Sequence, residues 1–203
     1  MDIVLASRNK KKIKELETLL SCITSTKINI LSLDDIGCTE DIEENGSTFE
    51  ENSRIKASVP AKMGYISIAD DSGLMVDALD GAPGIHSARF SGKGDKANNE
   101  LLMEKLKGLP TEKRTARFVT SVVCIFPEHN EEIVTSGVCE GVITEEPFGD
   151  GGFGYDPYFF YPPLNKTFSQ LTADEKNAVS HRGKAMRAFA KELEKTAKRL
   201  NLK

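Results

Sequence analysis

Strands and helices alternate along this chain, a pattern that predicts an α/β fold. Three observations carry the reading. An apolar strand at Ile3 to Ala6 passes through a short polar turn into a helix. The same order returns with a strand at Ile28 to Leu33 and a helix opening at Ser47. Further on, Ala116 to Phe126 and Glu132 to Ile143 read as an antiparallel hairpin closed by Pro127-Glu128-His129-Asn130, with His129 on the surface of the turn.

Taken in order, the first turn is Ser7-Arg8-Asn9-Lys10-Lys11-Lys12, and its helix has an apolar face of Ile13, Leu16, Leu19 and Leu20. A strand feeding a helix N-terminus presents free backbone N–H groups, a natural phosphate site. Basic residues there oppose the helix dipole, and an anionic ligand would explain them. There is no Walker glycine pattern. Asp34 to Gly46 is an acidic loop, after which Ser47-Thr48-Phe49-Glu50 reads as a capping box opening a helix with Asn52, Arg54 and Lys56. Pro60 is expected to kink that helix or end it early.

Ile66, Ile68 and Ala69 read as a buried strand ending in two adjacent carboxylates, Asp70 and Asp71, before Ser72 and Gly73. Alone, Asp-Asp-Ser-Gly is more often a plain turn. Two neighbouring carboxylates repel unless a cation or a shared proton intervenes. Such hard oxygen donors suit Mg²⁺, completed by water and phosphate. Glu44, just before the helix start, is within reach of the same metal.

Leu74 to Leu79 continues as strand and Gly81-Ala82-Pro83-Gly84 turns the chain. Asp95 is expected to cap a helix burying Leu101, Leu102 and Leu106, and Gly108 to stop it. Gly149-Asp150-Gly151-Gly152-Phe153-Gly154-Tyr155-Asp156-Pro157 lets backbone approach a ligand closely. Phe153, flanked by glycines, suits stacking on a base, although a glycine-rich turn before a strand at Tyr158 to Phe160 would look the same. Thr172-Ala173-Asp174-Glu175 is a second capping box, followed by Lys176. Ser180 can cap a last helix with stripe Met186, Phe189, Ala190, Leu193, Ala197 and Leu200, which leaves His181 and Arg182 in its first turn.

At 203 residues the chain suffices for one large domain or two small lobes. A net charge of −4 argues against a general electrostatic nucleic-acid binder. Cys22, Cys38, Cys124 and Cys139 form no C-x-x-C pair, so they read as reduced packing residues. The N-terminus enters a strand directly and no apolar run reaches membrane-spanning length, so the expected location is the cytoplasm.

In combination these stretches resemble the inosine/xanthosine triphosphate pyrophosphatases, enzymes that clear non-canonical purine nucleotides. The matching residues are Ser7-x-Asn9-x-x-Lys12, Glu44-x-Gly46-x-Thr48-Phe49 with Asn52 and Lys56, Ala69-Asp70-Asp71-Ser72-Gly73-Leu74, and Gly81-Ala82-Pro83-Gly84 with Ser87-Ala88-Arg89. Later come Gly152-Phe153-Gly154-Tyr155-Asp156-Pro157 and Lys176 with Ser180-His181-Arg182-Gly183. The match runs in order from residue 3 to about 190, and the ordered set is specific where no single motif is. Ser7 and Asn45 stand where the family often has Thr; neither change removes a required group.

The resemblance implies one α/β nucleoside triphosphate pyrophosphatase domain over residues 1–203. It would be elongated and two-lobed, with a long twisted mixed sheet flanked by helices and a central substrate cleft, and it would form a homodimer. The implied reaction converts ITP, dITP or XTP to the monophosphate and pyrophosphate with Mg²⁺ as cofactor. Asp71 would be the catalytic residue, and Glu44 and Asp71 the metal ligands. Lys12, Lys56 and the turn from Ser7 through Asn9 would hold the triphosphate, with Ser72 beside them. Phe153 would stack on the purine, Gly154, Tyr155 and Asp156 would shape its surroundings, and His181 and Arg182 would read the base edge. Lys176 is assigned to either the phosphate or the base, and Asp70 either braces its loop or meets the metal through water. The partner is thus a small purine nucleotide, with neither nucleic acid nor membrane. A nucleotide sensor without turnover, or a metal-dependent phosphatase for other nucleotides, is the alternative.

Overall fold

The computed structural model describes residues 1–8, 13, 14, 16, 17, 20 and 28–202. Its strands are β1 (Asp2–Leu5), β2 (Asn29–Leu31), β3 (Ser67–Val76), β4 (Thr115–Phe126), β5 (Glu131–Ile143), β6 (Phe159–Tyr161) and β7 (Lys166–Thr167). They form one open, mixed sheet in the order β2-β1-β3-β4-β5-β6-β7. β1 runs parallel to both β2 and β3, with Val4 opposite Leu31 and Ser67. β6 is antiparallel to β5 and to β7. Helices α1 (Phe49–Lys62), α2 (Asp95–Lys105), α3 (Ala173–Val179) and α4 (His181–Arg199) flank the sheet, and Ile13, Leu16 and Leu20 are helical as well. Leu19 lies outside the described residues.

The chain divides into two compact units. The first comprises Met1–Asp71, Ser121–Ser136 and Ala185–Lys203, the second Ser72–Thr120 and Gly137–Lys184. In the first, Ile3, Leu5, Leu16, Ile68 and Phe126 pack with Met186, Phe189 and Leu193, the apolar stripe of α4. Full burial of a side chain such as Phe189 contributes roughly 1.5–3 kcal/mol. In the second, Leu74, Val76, Leu102 and Leu106 pack with Phe118, Phe159 and Phe168. The Phe118 and Phe159 ring centroids lie 4.6 Å apart.

Several local expectations shift. β3 does not end at Asp70 but runs through Asp71, Ser72 and Gly73 to Val76. Buried Ile68 and Ala69 anchor it on one side of the acidic pair and buried Leu74 and Val76 on the other. Beyond Val76 the expected strand residues Asp77–Leu79 form a 3-10 turn. The cap of α1 is Thr48, one residue later than expected, and it accepts from the Glu51 N–H at 3.1 Å. Two Ser/Thr-x-x-Glu frames overlap there, and extended Thr48 takes the role. The Glu51 carboxylate instead accepts from the backbone N–H and hydroxyl of Ser47, at 2.7 and 2.6 Å.

Pro60 lies inside α1, which continues to Lys62. In the last turn a missing N–H costs only one bond, and Met63 N–H still reaches the Pro60 carbonyl at 3.1 Å. Asp95 is the first helical residue of α2, and Gly94 holds the cap position. β2 is shorter than expected, and β6 begins at Phe159. β4 and β5 are neighbours joined through 127–130, as a hairpin requires.

Cys38, Cys124 and Cys139 are free and buried. Burial pushes the Cys139 thiol up to about 11 and raises Cys124 as well, so both are packing groups. Cys22 lies outside the described residues. Among those residues, no helix is long and apolar enough to cross a membrane.

Candidate functional site

In the first unit, the acidic loop, α1 and β3 bring together Glu44, Asn52, Lys56 and Asp71. Lys56 Nζ lies 3.2 Å from Glu44 Oε2 and 3.4 Å from Asp71 Oδ1. Asn52 Nδ2 donates to the other carboxylate oxygen, Asp71 Oδ2, at 3.1 Å. Asn52 Oδ1 in turn accepts from the Gly46 N–H at 2.9 Å, which orients the side-chain amide and ties Glu44's loop to the same centre. A Cβ at Gly46 would meet Asn52 Oδ1 at 2.8 Å, so this loop approaches α1 closely only because the residue is glycine. Burial raises the Asp71 pKa, Lys56 and the Asn52 hydrogen bond pull it back, and the Glu44 charge adds to the rise. Asp70, on the opposite face of β3, is buried.

The basic first turn is partly committed elsewhere. Arg8 Nη2 donates to the carbonyls of Cys38 and Glu40 at 2.9 and 3.0 Å, and Nε lies 3.3 Å from Asp34. Its charge therefore holds the acidic loop in place and does not add to a free cationic turn. Ser7, half-buried, follows β1, while Asn9 and Lys12 lie outside the described residues.

In the second unit the glycine loop presents Phe153 with 74% of its surface exposed. Lys176 Nζ stands 4.7 Å from the ring centroid and pairs with Asp156 Oδ2 at 2.5 Å. The same Asp156 oxygen accepts from the Phe153 N–H at 2.9 Å. Gly152, at φ +75°, has no room for a Cβ, which would run into the Asp156 carboxylate. Tyr155 is buried, with its hydroxyl donating to the Ser87 carbonyl at 2.8 Å, so Tyr155 and Asp156 support the loop from beneath. Ser169 Oγ donates to the Gly151 carbonyl at 2.5 Å.

Ser180 Oγ accepts from the Gly183 N–H at 3.1 Å and so caps α4. That places His181 and Arg182, both half-buried, in the first helical turn. The His181 ring stacks on Phe118 with centroids 4.7 Å apart and planes at 12°. Ser72 is half-buried in β3.

Of the residues singled out in the sequence, the structure brings Glu44, Lys56 and Asp71 together in one cluster, and Phe153, Gly154, Asp156 and Lys176 in another, where the sequence left Lys176 open between phosphate and base. It gave no role to Asn52 beyond motif membership, and none to Asn99, whose Nδ2 donates to the Gly154 carbonyl. Neither asparagine has a local sequence signal for these contacts, since Asn52 meets Asp71 across 19 positions and Asn99 meets Gly154 across 55.

The model of the Ham1 family matches residues 3–192 of this chain. The chain belongs to the Ham1 family. Similar proteins include a dITP/XTP pyrophosphatase of Leuconostoc mesenteroides, 45% identical over 95% of this chain and 96% of that protein. Another, from an Exiguobacterium species, is 47% identical over 95% and 97%. The solved Ham1 protein of Staphylococcus aureus superposes with a TM-score of 0.88 at 39% identity, over 97% of this chain and all of the other. A nucleoside-triphosphatase described as a dITP/XTP pyrophosphatase from Mycobacterium abscessus gives 0.79 at 44% identity, over 93% and 98%. These likenesses bear out both the family resemblance of the motifs and the mixed-sheet α/β fold.

Proposed function

We propose that this chain hydrolyses ITP, dITP and XTP to the nucleoside monophosphate and pyrophosphate, and so removes them from the nucleotide pool. One observation carries the proposal: a half-buried Asp71 held by both Asn52 and Lys56 beside Glu44, in a chain so similar to dITP/XTP pyrophosphatases.

The donor set fits Mg²⁺. Glu44 and Asp71 offer hard carboxylate oxygens, and among the described residues no group of three or more His, Cys, Asp or Glu converges. Two carboxylates with room for water and phosphate are what this ion takes, whereas a closed protein cage is not. Bound there, Mg²⁺ would neutralise phosphate charge and acidify water.

The rest of the work falls to side chains. Asp71 orients the attacking water and accepts its proton as the oxygen bonds to the α-phosphorus. The bond from that phosphorus to the α–β bridging oxygen breaks, and pyrophosphate leaves. Asn52 holds Asp71 Oδ2, which leaves the carboxylate in one orientation. Lys56 compensates the two carboxylates and turns towards phosphate oxygens, with Lys12, Asn9, Ser7 and Ser72 assigned to the tail. Phe153 stacks on the purine. Gly154, Tyr155 and Asp156 support that platform, and Lys176 holds Asp156 beneath it. His181 and Arg182 donate to the six-carbonyl of hypoxanthine or xanthine. Adenine has an amino donor at that position and leaves them unsatisfied, a mismatch able to reject a substrate by as much as ~10⁴-fold. The same reading makes the protein a cytoplasmic homodimer.

The test is incubation with ITP and Mg²⁺ and identification of the product. Pyrophosphate with IMP is expected. Orthophosphate would make the protein a phosphatase, and tight binding without turnover a sensor.

A further inference from the structure

Two side chains at the start of α2 grip a single residue of the glycine loop. Asn99 Nδ2 donates to the Gly154 carbonyl at 2.9 Å, and the Gly154 N–H donates to Asp95 Oδ2 at 3.1 Å. Their spacing of four residues puts both on one helix face. Gly154 follows Phe153 directly, and the Phe153 N–H is already held by Asp156. The backbone on both sides of the exposed ring is therefore fixed, by α2 on one side and by Asp156 of the loop itself on the other. Neither group caps α2: its cap is Gly94, with no side-chain hydrogen bond. Asn99 is also a poorer helix former than leucine or alanine. Moreover, Asn99 Oδ1 is buried without a hydrogen-bond partner among the described residues. That cost is set against the bond to Gly154.

We propose that Asp95 and Asn99 are positioning residues for purine recognition. They hold the Phe153–Gly154 backbone so that the ring is presented in one orientation before substrate arrives. A glycine loop left to order itself on binding would take that entropy out of the affinity. The inference rests on Phe153 being the purine platform. Its consequence is specific: losing the clamp weakens binding of the base, while chemistry and tail binding stay as they are.

The experiment compares kcat and KM for ITP, and inhibition by inorganic tripolyphosphate, which has a tail and no base. The proteins are wild type, Asn99→Asp, Phe153→Ala and the double variant. Asn99→Asp keeps the size of the side chain but turns an oxygen towards the Gly154 carbonyl. It is expected to raise KM for ITP ~10-fold, with kcat and tripolyphosphate inhibition within ~2-fold of wild type. In the Phe153→Ala background the same change should cost less than ~2-fold, because the platform is already gone. Asp95→Ala should also raise KM, and Asp95→Asn, which keeps an oxygen acceptor, should restore it; a helix-dipole role would be lost in both. Equal losses in both Phe153 backgrounds, a fall in kcat at constant KM, or no rescue by Asp95→Asn overturns the inference. If Phe153→Ala leaves KM unchanged, it is the platform reading that fails.

Discussion

At the scale of single residues, the proposed chemistry turns on Asp71. Its carboxylate is anchored through both oxygens, by Asn52 on one and Lys56 on the other. Asp71→Asn keeps the shape but removes both the proposed proton acceptor and the full charge of a proposed metal ligand. Turnover of ITP should fall by ~10²-fold or more with the thermal midpoint unchanged, measured by pyrophosphate release and calorimetry. Activity within a few-fold of wild type would move the role to Asp70. In the proposed reading, base selection depends on Arg182. Arg182→Ala should cost most of kcat/KM on ITP and leave the low rate expected on ATP almost untouched, so that the ratio of the two collapses. Equal losses on both substrates would make Arg182 a phosphate or structural residue. Misfolding cannot mimic the expected result, because it lowers both rates together.

At the scale of elements, short helices depend on their ends. Helix α3 has seven residues, too few for internal hydrogen bonds alone to hold it. Its capping box is complete: Thr172 Oγ1 accepts from the Glu175 N–H at 3.2 Å, and the Glu175 carboxylate accepts from the Thr172 N–H at 2.8 Å. Lys166 adds an ion pair to Glu175 at 3.0 Å. Because Lys176 reaches Asp156 from this helix, the cap also supports the Phe153 loop. Thr172→Ala should lower stability by about 0.5–2 kcal/mol in urea titration, and Thr172→Ser should recover most of it. No change for Thr172→Ala would mean that packing alone holds α3. This capping box was legible in the sequence because its four residues contain the whole interaction. The one before α1 was misplaced by a residue, since Ser47 and Thr48 compete for the same role and only backbone conformation separates them.

At the scale of the molecule, the proposed homodimer should sediment at about twice the 22.3 kDa chain mass at micromolar concentration. A single-chain mass that persists up to high concentration would exclude it. The sequence by itself determined the alternation of strands and helices, the apolar stripe of α4 and the ordered set of polar motifs. Those features are local: hydrophobic period and capping chemistry act within a few residues. Tertiary structure decided what the motifs do to one another. It carried β3 straight through Asp70 and Asp71, because buried residues on both sides hold the strand. It bonded Asn52 to Asp71 across 19 positions and Asn99 to Gly154 across 55. It also spent Arg8 on the Cys38 carbonyl 30 residues away, where the sequence alone offered a free cation. Partners so far apart share no period or spacing, and only the packing of the elements that carry them brings donor and acceptor within reach.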